Sequence, residues 1–219
     1  MVSVVLLMAG KGSRMKQDKN KILLPLNGKP IYKHSLDLFL SLGCEVIAVL
    51  SQDDKDDIIN NLPEGVKHTT GGKTRQESVY NGLQLCTNEY VLIHDSARPF
   101  VDKNILAEII NSYKLNEATL LYHNVKDTIK YLDGSNLKTL PRSELIAAAT
   151  PQGGPLAVLK DAYYKAKVDN FEATDDLSLI ERYYPNIKIN FILSNEENFK
   201  ITTPLDYELA KLIMEKKIW

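Results

Sequence analysis

Four apolar, β-branched runs that alternate with segments of helical spacing constrain the fold of this chain most strongly. The runs are SVVLLMA (3–9), EVIAVLS (45–51), EYVLIHD (89–95) and KINFIL (188–193). Because they are apolar throughout, they are typical of parallel strands that helices cover on both faces. The sequence therefore predicts an α/β fold with a mostly parallel, twisted sheet and with ligands at the carboxyl ends of its strands. The predicted helices span residues 35–42, 55–62, 75–85, 103–114, 155–166 and 204–216.

The segment VKDTIKYLDGSNLKTLPR (125–142) departs from this alternation. Asp133 and Gly134 lie between two runs of high β propensity, which predicts a hairpin. We expect a β-hairpin arm over about 123–145. A two-stranded ribbon is only marginally stable alone, so it packs either on its own domain or on a second subunit. The pattern leaves both alternatives open.

Length and composition limit the class of protein. A chain of 219 residues, 44% of them hydrophobic, can bury one sizeable core, so we expect one domain over 1–219. A formal net charge of −1 provides no basic field for nucleic acid or an anionic membrane, and we expect neither as a partner. The two cysteines have no metal-ligand spacing, and we expect no targeting or membrane-spanning segment. These features predict a cytoplasmic protein.

A glycine-containing turn follows the first strand in VLLMAGKGSRM (5–15). Gly10 and Gly12 permit a tight turn through positive φ, which brings backbone N–H groups close to an anion. Met15 stands where a third glycine would complete a dinucleotide-binding motif, and no P-loop motif occurs. Arg14 and Lys21 flank the turn with positive charge, which suits a triphosphate. An ordinary turn beside a solvated arginine is the alternative.

The second candidate site lies in VLIHDSARPF (91–100), where an apolar strand ends directly in Asp95. A carboxylate at the carboxyl end of a buried strand can hold Mg²⁺ while water and phosphate oxygens fill most of the metal's coordination shell. Alternatively, Asp95 caps the next helix or pairs with Arg98.

The third candidate site is TTGGKTRQESVYNGL (69–83). Backbone groups of Gly71 and Gly72, together with the Ser78 hydroxyl, are placed to read the edge of a base. Thr74 and Glu77 have the spacing of a helix capping box. Both interpretations can hold at once.

In their order along the chain, these motifs resemble those of the 2-C-methyl-D-erythritol 4-phosphate cytidylyltransferases. The resemblance runs nearly end to end and implies a Rossmann-like nucleotidyltransferase fold, a homodimer joined through the hairpin arm, and a Mg²⁺-dependent reaction of CTP with a phosphorylated polyol. The motifs that carry it are MAGKGSRM, KILLPLNGKP, GGKTRQESV, HDSARPF, ATPQ, TDD and NFKITTPLD.

The resemblance also implies roles for individual residues. The implied catalytic residues are Arg14, Lys21 and Lys200. Arg14 and Lys21 would contact the phosphates of CTP, Lys200 would complete the sugar-phosphate pocket, and Asp95 would hold the metal. The residues implied to bind CTP are Ala9, Gly10, Gly12, Gly72, Arg75, Ser78, Asp95 and Ser96. The residues implied to bind the sugar phosphate are Arg98, Thr128, Arg142, Thr150 and Thr174, with Thr128 and Arg142 supplied from the partner's arm.

This chain departs from the family pattern at two places. Asn20 and Ile22 flank Lys21, where the family usually has proline before the lysine and an aromatic or polar residue after it. The usual N-I-K is NFK in this chain, and Glu196 and Glu197 are the two candidates for the carboxylate expected just before it as a second metal contact.

Two other functions compete with this interpretation. A ribitol 5-phosphate cytidylyltransferase shares the glycine turn, the strand end at Asp95 and the TPQ segment, but GGKTRQESV and TDD followed by Leu and Ser favour the methylerythritol enzymes. A non-catalytic nucleotide-binding module is the second alternative. The joint presence of Arg14, Lys21, Asp95 and Lys200 disfavours it.

Overall fold

The computed structural model describes residues 1–10 and 20–216. Within these residues the strands, in chain order, are β1 (Ser3–Met8), β2 (Pro25–Leu26), β3 (Lys29–Pro30), β4 (Glu45–Leu50), β5 (Lys67–Thr70), β6 (Tyr90–Asp95), β7 (Glu117–Asn124), β8 (Lys130–Asp133), β9 (Asn136–Thr139), β10 (Ile146–Pro155) and β11 (Lys188–Leu193). In this part of the chain, seven of them form one sheet in the order β11-β7-β10-β6-β1-β4-β5.

The central strand β1 pairs in parallel with β4 on one side and β6 on the other. The pairs β4–β5 and β7–β11 are also parallel. Only β10, among the sheet strands described, runs antiparallel to its neighbours β6 and β7. The predicted α/β class with a mostly parallel sheet is therefore confirmed.

Helices cover both faces of this sheet. In the described residues they are α1 (Ile31–Ser41), α2 (Lys55–Ile59), α3 (Arg75–Gln84), α4 (Lys103–Ser112), α5 (Leu156–Val168), α6 (Leu177–Tyr183) and α7 (Pro204–Lys216), with short 3₁₀ helices at Lys21–Leu23 and Arg142–Glu144. Helices α1, α2 and α4 pack on one face, and α3, α5 and α6 pack on the other. Successive side chains of β1 point to opposite faces of the sheet: Val4 packs in the core under α1, α2 and α4, and Val5 packs in the core under α3, α5 and α6. None of the described helices is both long and apolar enough to cross a membrane.

The predicted hairpin is present as β8 and β9, which form a two-stranded sheet separate from the main one. Asp133 pairs with Asn136, so the turn residues are Gly134 and Ser135, one position later than the Asp133–Gly134 turn of the prediction. Gly134 has φ +59°, in the left-handed region that glycine occupies at little cost. All eight strand residues of this hairpin are exposed.

The structure also contains elements that the sequence pattern did not predict. Strands β7 and β10 and the seven-residue helix α6 fall outside the predicted segments. Helix α1 begins at Ile31, four residues before the predicted start, directly after Pro30. Helix α7 begins at Pro204, as the predicted range 204–216 does, whereas Pro155, the first residue of the predicted range 155–166, lies directly before α5.

Candidate active site

A cavity of about 420 Å³ opens at the carboxyl ends of β1 and β6, where the fold class predicted a ligand. It is bounded by the end of β1, the 3₁₀ helix at Lys21–Leu23, the start of α3, the end of β6 and the segment after β11. The structure thus brings together residues that are distant in the sequence. Predicted site residues that line it are Ala9, Gly10, Lys21, Gly72, Arg75, Ser78, Asp95, Ser96 and Lys200.

Asp95 is buried at the bottom of this cavity and interacts with two cations. Lys200 Nζ lies 2.7 Å from its Oδ2 and Arg75 Nε lies 3.6 Å from its Oδ1. Burial alone would raise the pKa of Asp95, but the charges of Arg75 and Lys200 hold it well below the usual range. The alternative role as a helix cap is wrong, because Asp102 caps α4. The alternative pairing with Arg98 is replaced by the pairing with Lys200 and Arg75.

Arg75 reaches the cavity from the first turn of α3, and Asp176 fixes its guanidinium. Nη1 and Nη2 donate to the two oxygens of Asp176 at 2.7 and 2.8 Å. Tyr163 donates its hydroxyl proton to the same carboxylate. Burial would lower the pKa of Arg75, but Asp176, with a smaller contribution from Asp95, raises it. Arg75 therefore remains a cation at the cavity wall.

Lys21 enters the cavity from the short 3₁₀ helix, and Asn20 anchors that helix. The Asn20 side chain accepts a hydrogen bond from the Ile22 N–H at 3.3 Å and donates to Asp54 Oδ2 at 2.9 Å. It also lies 3.3 Å from the Met8 carbonyl at the end of β1. Asn20 thereby joins the Lys21 segment to the central strand, and the Lys21 side chain is largely buried there.

The loop before α3 contains the predicted helix cap, and its predicted contact to a base stays a prediction. Thr74 accepts a hydrogen bond from the Glu77 N–H at 3.1 Å, as the capping box predicted, but Glu77 accepts from Lys73 N–H and not from Thr74. The Ser78 hydroxyl donates to the Thr74 carbonyl and accepts from the Gly72 N–H at 3.1 Å. The Gly72 N–H is therefore already engaged, which leaves the second acceptor site of Ser78 and the Gly72 carbonyl for a ligand.

Sequence reasoning about the glycine turn is corrected at Gly10. Its backbone lies outside the left-handed region, and a Cβ built there would meet no atom of residues 1–10 or 20–216 within 4 Å. Neither its own backbone conformation nor its contacts with the described residues therefore require glycine at this position. Gly12 and Arg14 lie outside the described residues.

Thr150 and His94 fix the backbone around Asp95. Thr150 Oγ1 accepts from the Asp95 N–H at 3.1 Å and lies 3.2 Å from His94 Nδ1. His94 Nε2 lies 3.1 Å from the Arg98 carbonyl. Burial lowers the pKa of His94 to about 4, so the imidazole is neutral at pH 7 and holds the strand end in place.

Arg98 faces a second cavity, of about 460 Å³, on the other side of Lys200. Its Nη1 donates to the Asn198 carbonyl at 2.7 Å. His123 and Lys126, at and after the end of β7, line the same cavity. The Lys200 side chain therefore forms part of the wall of both cavities.

The remaining predicted residues of the sugar-phosphate pocket are divided between two places. Thr174 lines a small recess that also contains Arg75. Thr128 and Arg142 lie on the exposed arm, where Arg142 Nη1 donates to the Lys126 carbonyl at 2.6 Å. Neither arm residue lines the cavity of its own chain around Asp95.

Neither candidate for a second metal contact lies in the cavity with Asp95. Glu196 pairs with Lys126 at 2.6 Å on the surface, and Glu197 accepts from the Asn195 amide at 3.2 Å. Across residues 1–10 and 20–216, no group of three or more His, Cys, Asp or Glu side chains is arranged to hold a metal. Among these three carboxylates, only Asp95 is placed to contact a cation that a ligand brings into the cavity.

Sequence reasoning missed Asn20 and Asp176 as parts of this site. Asn20 was noted only as a departure from a family pattern, although an Asn before a short helix is a recognisable capping signal. Asp176 belongs to the TDD motif, but its pairing with Arg75 has no local signal, because it joins residues 101 positions apart.

Comparison with known proteins gives one consistent result. The family model described as 2-C-methyl-D-erythritol 4-phosphate cytidylyltransferase (IspD) matches residues 2–216. A protein of that name from Bacillus velezensis is 38% identical, with 97% of this chain and 95% of that protein covered. One from Prochlorococcus marinus is also 38% identical, with 94% and 95% covered.

Solved structures agree with these relatives. A 4-diphosphocytidyl-2C-methyl-D-erythritol synthase from Anaerococcus prevotii superposes with a TM-score of 0.85 at 27% identity, covering 98% of this chain and 96% of the other. A 2-C-methyl-D-erythritol 4-phosphate cytidylyltransferase from Thermus thermophilus superposes with a TM-score of 0.80 at 28% identity, covering 98% and 100%.

Proposed function

The chain belongs to the 2-C-methyl-D-erythritol 4-phosphate cytidylyltransferase family, and we propose that the cavity around Asp95 is where it carries out this family's reaction. The reaction transfers a cytidylyl group from CTP to 2-C-methyl-D-erythritol 4-phosphate and releases pyrophosphate. The observation that supports this location best is the buried Asp95 carboxylate in a cavity that Lys21, Arg75 and Lys200 also line.

The cations of the cavity account for the chemistry without a general base. A phosphate oxygen of the sugar phosphate attacks the α-phosphorus of CTP, a new P–O bond forms, and the bond to the bridging oxygen breaks so that pyrophosphate leaves with the electron pair. The nucleophile is already an anion, so the barrier lies in positioning and in charge repulsion between two polyanions. Lys21 and Lys200 would offset that repulsion from the cavity wall, and the family resemblance implies the same role for Arg14. Preorganised cations of this kind lower the barrier most where charge develops.

The chemistry of Asp95 fits a magnesium ion that arrives with the nucleotide. Its carboxylate is a hard oxygen donor and is ionised. Mg²⁺ commonly binds through one or two carboxylates, with water and phosphate oxygens completing its shell. When bound, the ion would neutralise charge on the triphosphate, and Asp95 would hold it in competition with Lys200 and Arg75.

The cavity around Asp95 suits CTP, and the surface that runs past Lys200 to Arg98 suits the sugar phosphate. On the nucleotide side, Ala9, Gly10, Gly12, Gly72, Arg75, Ser78 and Ser96 would bind CTP. On the acceptor side, Arg98 and Thr150 would bind the sugar phosphate, and Thr174 would contribute from the recess beside Arg75. Thr128 and Arg142 would complete this side from the arm of a second subunit, so the working unit would be a homodimer.

The experiment that tests this function measures pyrophosphate release from CTP with and without Mg²⁺. Parallel reactions contain 2-C-methyl-D-erythritol 4-phosphate, D-ribitol 5-phosphate, or no acceptor. We expect Mg²⁺-dependent turnover with the methylerythritol phosphate alone. Turnover with ribitol phosphate alone would assign the chain to the other acceptor, and no turnover with either would support a nucleotide-binding module.

A further inference from the structure

Asp176 is a fully buried carboxylate directly before α6, and it does not cap that helix. An aspartate at this position usually accepts from the N–H groups of the first helical turn. In this structure the adjacent residue does so, because Asp175 Oδ1 accepts from the Ser178 N–H at 2.9 Å. The start of α6 therefore does not account for the buried charge of Asp176.

Gln152 satisfies two more N–H groups at this helix start. Its Oε1 accepts from the N–H groups of Asp176 and Leu177, both at 3.0 Å, and its Nε2 donates to Asp175 Oδ2 at 2.9 Å. The backbone of residues 175–177 is thus held by Gln152 without the Asp176 side chain.

The Asp176 side chain is directed instead at Arg75. Both terminal nitrogens of the guanidinium donate to it, and Tyr163 donates to Oδ1. A bidentate pair fixes the plane of the guanidinium as well as its position. Arg75 is 35% exposed at the cavity wall, so without this pair its long side chain would be free to adopt other rotamers or to close the 3.6 Å gap to Asp95.

We propose that Asp176 is a positioning residue for CTP: it holds the Arg75 guanidinium in the orientation that the nucleotide meets and keeps it from closing on Asp95. Tyr163 acts through the same carboxylate. This inference rests on the proposed function, because it takes the cavity around Asp95 as the CTP site.

Two matched variants, Asp176→Asn and Asp175→Asn, test the inference. Each removes one negative charge, at adjacent positions, and Asn caps a helix about as well as Asp. Titration calorimetry with CTP and Mg²⁺ measures the dissociation constant. We expect Asp176→Asn to raise it by about tenfold or more, as for the loss of charge-assisted hydrogen bonds, and Asp175→Asn to change it less than about twofold.

Steady-state kinetics then separate positioning from a general loss of structure. For Asp176→Asn we expect a higher KM for CTP and little change in KM for the sugar phosphate. Equal effects of the two variants, or equal increases in both KM values, would overturn the inference.

A double-mutant cycle with Arg75→Ala tests whether Asp176 acts through Arg75. We expect Arg75→Ala/Asp176→Asn to bind CTP no more weakly than Arg75→Ala alone, and to unfold at a higher temperature because it no longer leaves an unpaired buried carboxylate. Additive losses of CTP affinity would overturn the inference. If Asp176→Asn does not fold, Tyr163→Phe serves in its place, because it removes one donor to Asp176 and keeps the Arg75–Asp176 pair. We expect Tyr163→Phe to bind CTP more weakly. Unchanged CTP binding in this variant would count against the proposal.

These measurements also distinguish the two proposals. The proposed function is contradicted if the wild-type protein binds CTP with Mg²⁺ but releases no pyrophosphate with any acceptor. The CTP affinities of the double-mutant cycle would still test the role of Asp176 in that case. Wild-type turnover together with unchanged CTP binding in Asp176→Asn contradicts only the inference.

Discussion

Glu45 lies at the amino end of β4, at the opposite end of the sheet from the cavity, and hydrogen-bond donors surround its carboxylate. Lys67 Nζ lies at 2.6 Å, Thr87 donates through its N–H at 2.9 Å and its hydroxyl at 2.7 Å, and Ser3 also donates. Burial would raise the pKa of Glu45, but the hydrogen bonds from Lys67, Ser3 and Thr87 lower it to about 2. Folding is therefore linked to the ionised form of this group.

The sign of this linkage gives a prediction for stability against pH. Because the pKa of Glu45 is lower in the folded chain, its contribution is full above pH 4.5 and is lost as the pH falls towards 2. We expect Glu45→Gln to flatten the fall in unfolding free energy over this range by roughly 2 to 3 kcal/mol. Urea denaturation at pH 6 and pH 3 measures it, with Glu208→Gln, an exposed partner of Lys211, as control. An equal loss of unfolding free energy between pH 6 and pH 3 in wild type and Glu45→Gln would contradict the lowered pKa of Glu45.

Lys21 is the residue whose loss we expect to affect the reaction most among the described cations. It is largely buried in the cavity and is held there by the Asn20 cap. Lys21→Ala should lower kcat by at least about a hundredfold, as for removal of one preorganised electrostatic group. Lys29→Ala, which breaks only an exposed pair with Asp37, should change kcat less than about twofold. A loss below tenfold in Lys21→Ala would remove this residue from the catalytic set.

At the scale of elements, the loop between β5 and α3 packs closely against the helix that follows it. A Cβ at Gly72 would lie 2.3 Å from Glu77 Cβ in the first turn of α3, whereas a Cβ at Gly10 would meet none of the described atoms within 4 Å. Gly72→Ala must therefore move the loop and should both raise the KM for CTP and lower the melting temperature by roughly 5 °C. Gly10→Ala should leave the melting temperature unchanged and affect only CTP. Thermal denaturation of both variants beside CTP kinetics checks this, and equal melting temperatures would contradict the packing argument.

How far the sequence predicts these elements depends on how local their signals are. The parallel strands β1, β4 and β6 were predictable from the sequence, because helices cover both their faces and each strand is therefore a continuous apolar run. Strand β10, IAAATPQGGP, has little β propensity and is held by antiparallel pairing on both sides, with an irregularity between Ala148 and Gln152. The residues at strand ends and caps, such as Asp95 and Thr74, were predictable. The partners of Arg75 and Lys200 were not, because those contacts are made only by the assembled fold.

At the scale of the whole molecule, the hairpin arm gives the proposed dimer a testable form. Leu132 and Leu137 face each other across β8 and β9 and are 67% and 65% exposed, so the arm presents an apolar pair that a second subunit could cover. Leu132→Lys/Leu137→Lys should shift the chain towards monomer in sedimentation velocity. Leu205→Lys, at an exposed leucine on α7, serves as control.

A mixing experiment tests whether Arg142 acts on the partner's cavity. Arg142→Ala and Lys21→Ala should each be poorly active, but a heterodimer of the two contains one site with both residues intact. A re-equilibrated equal mixture should recover about a quarter of wild-type activity, since half the dimers are mixed and half their sites are complete. No recovery, in a mixture shown to exchange subunits, would place Arg142 and Lys21 in the same chain's site.

Lys200 lines both cavities, so in the proposed reaction one ammonium group would face both substrates. A single positive charge cannot be fully neutralised twice, so each bound polyanion would weaken the attraction of Lys200 for the other. In thermodynamic terms, Lys200 would contribute an unfavourable coupling free energy between the two substrates that salt weakens, and by linkage the penalty would be the same whichever substrate binds first.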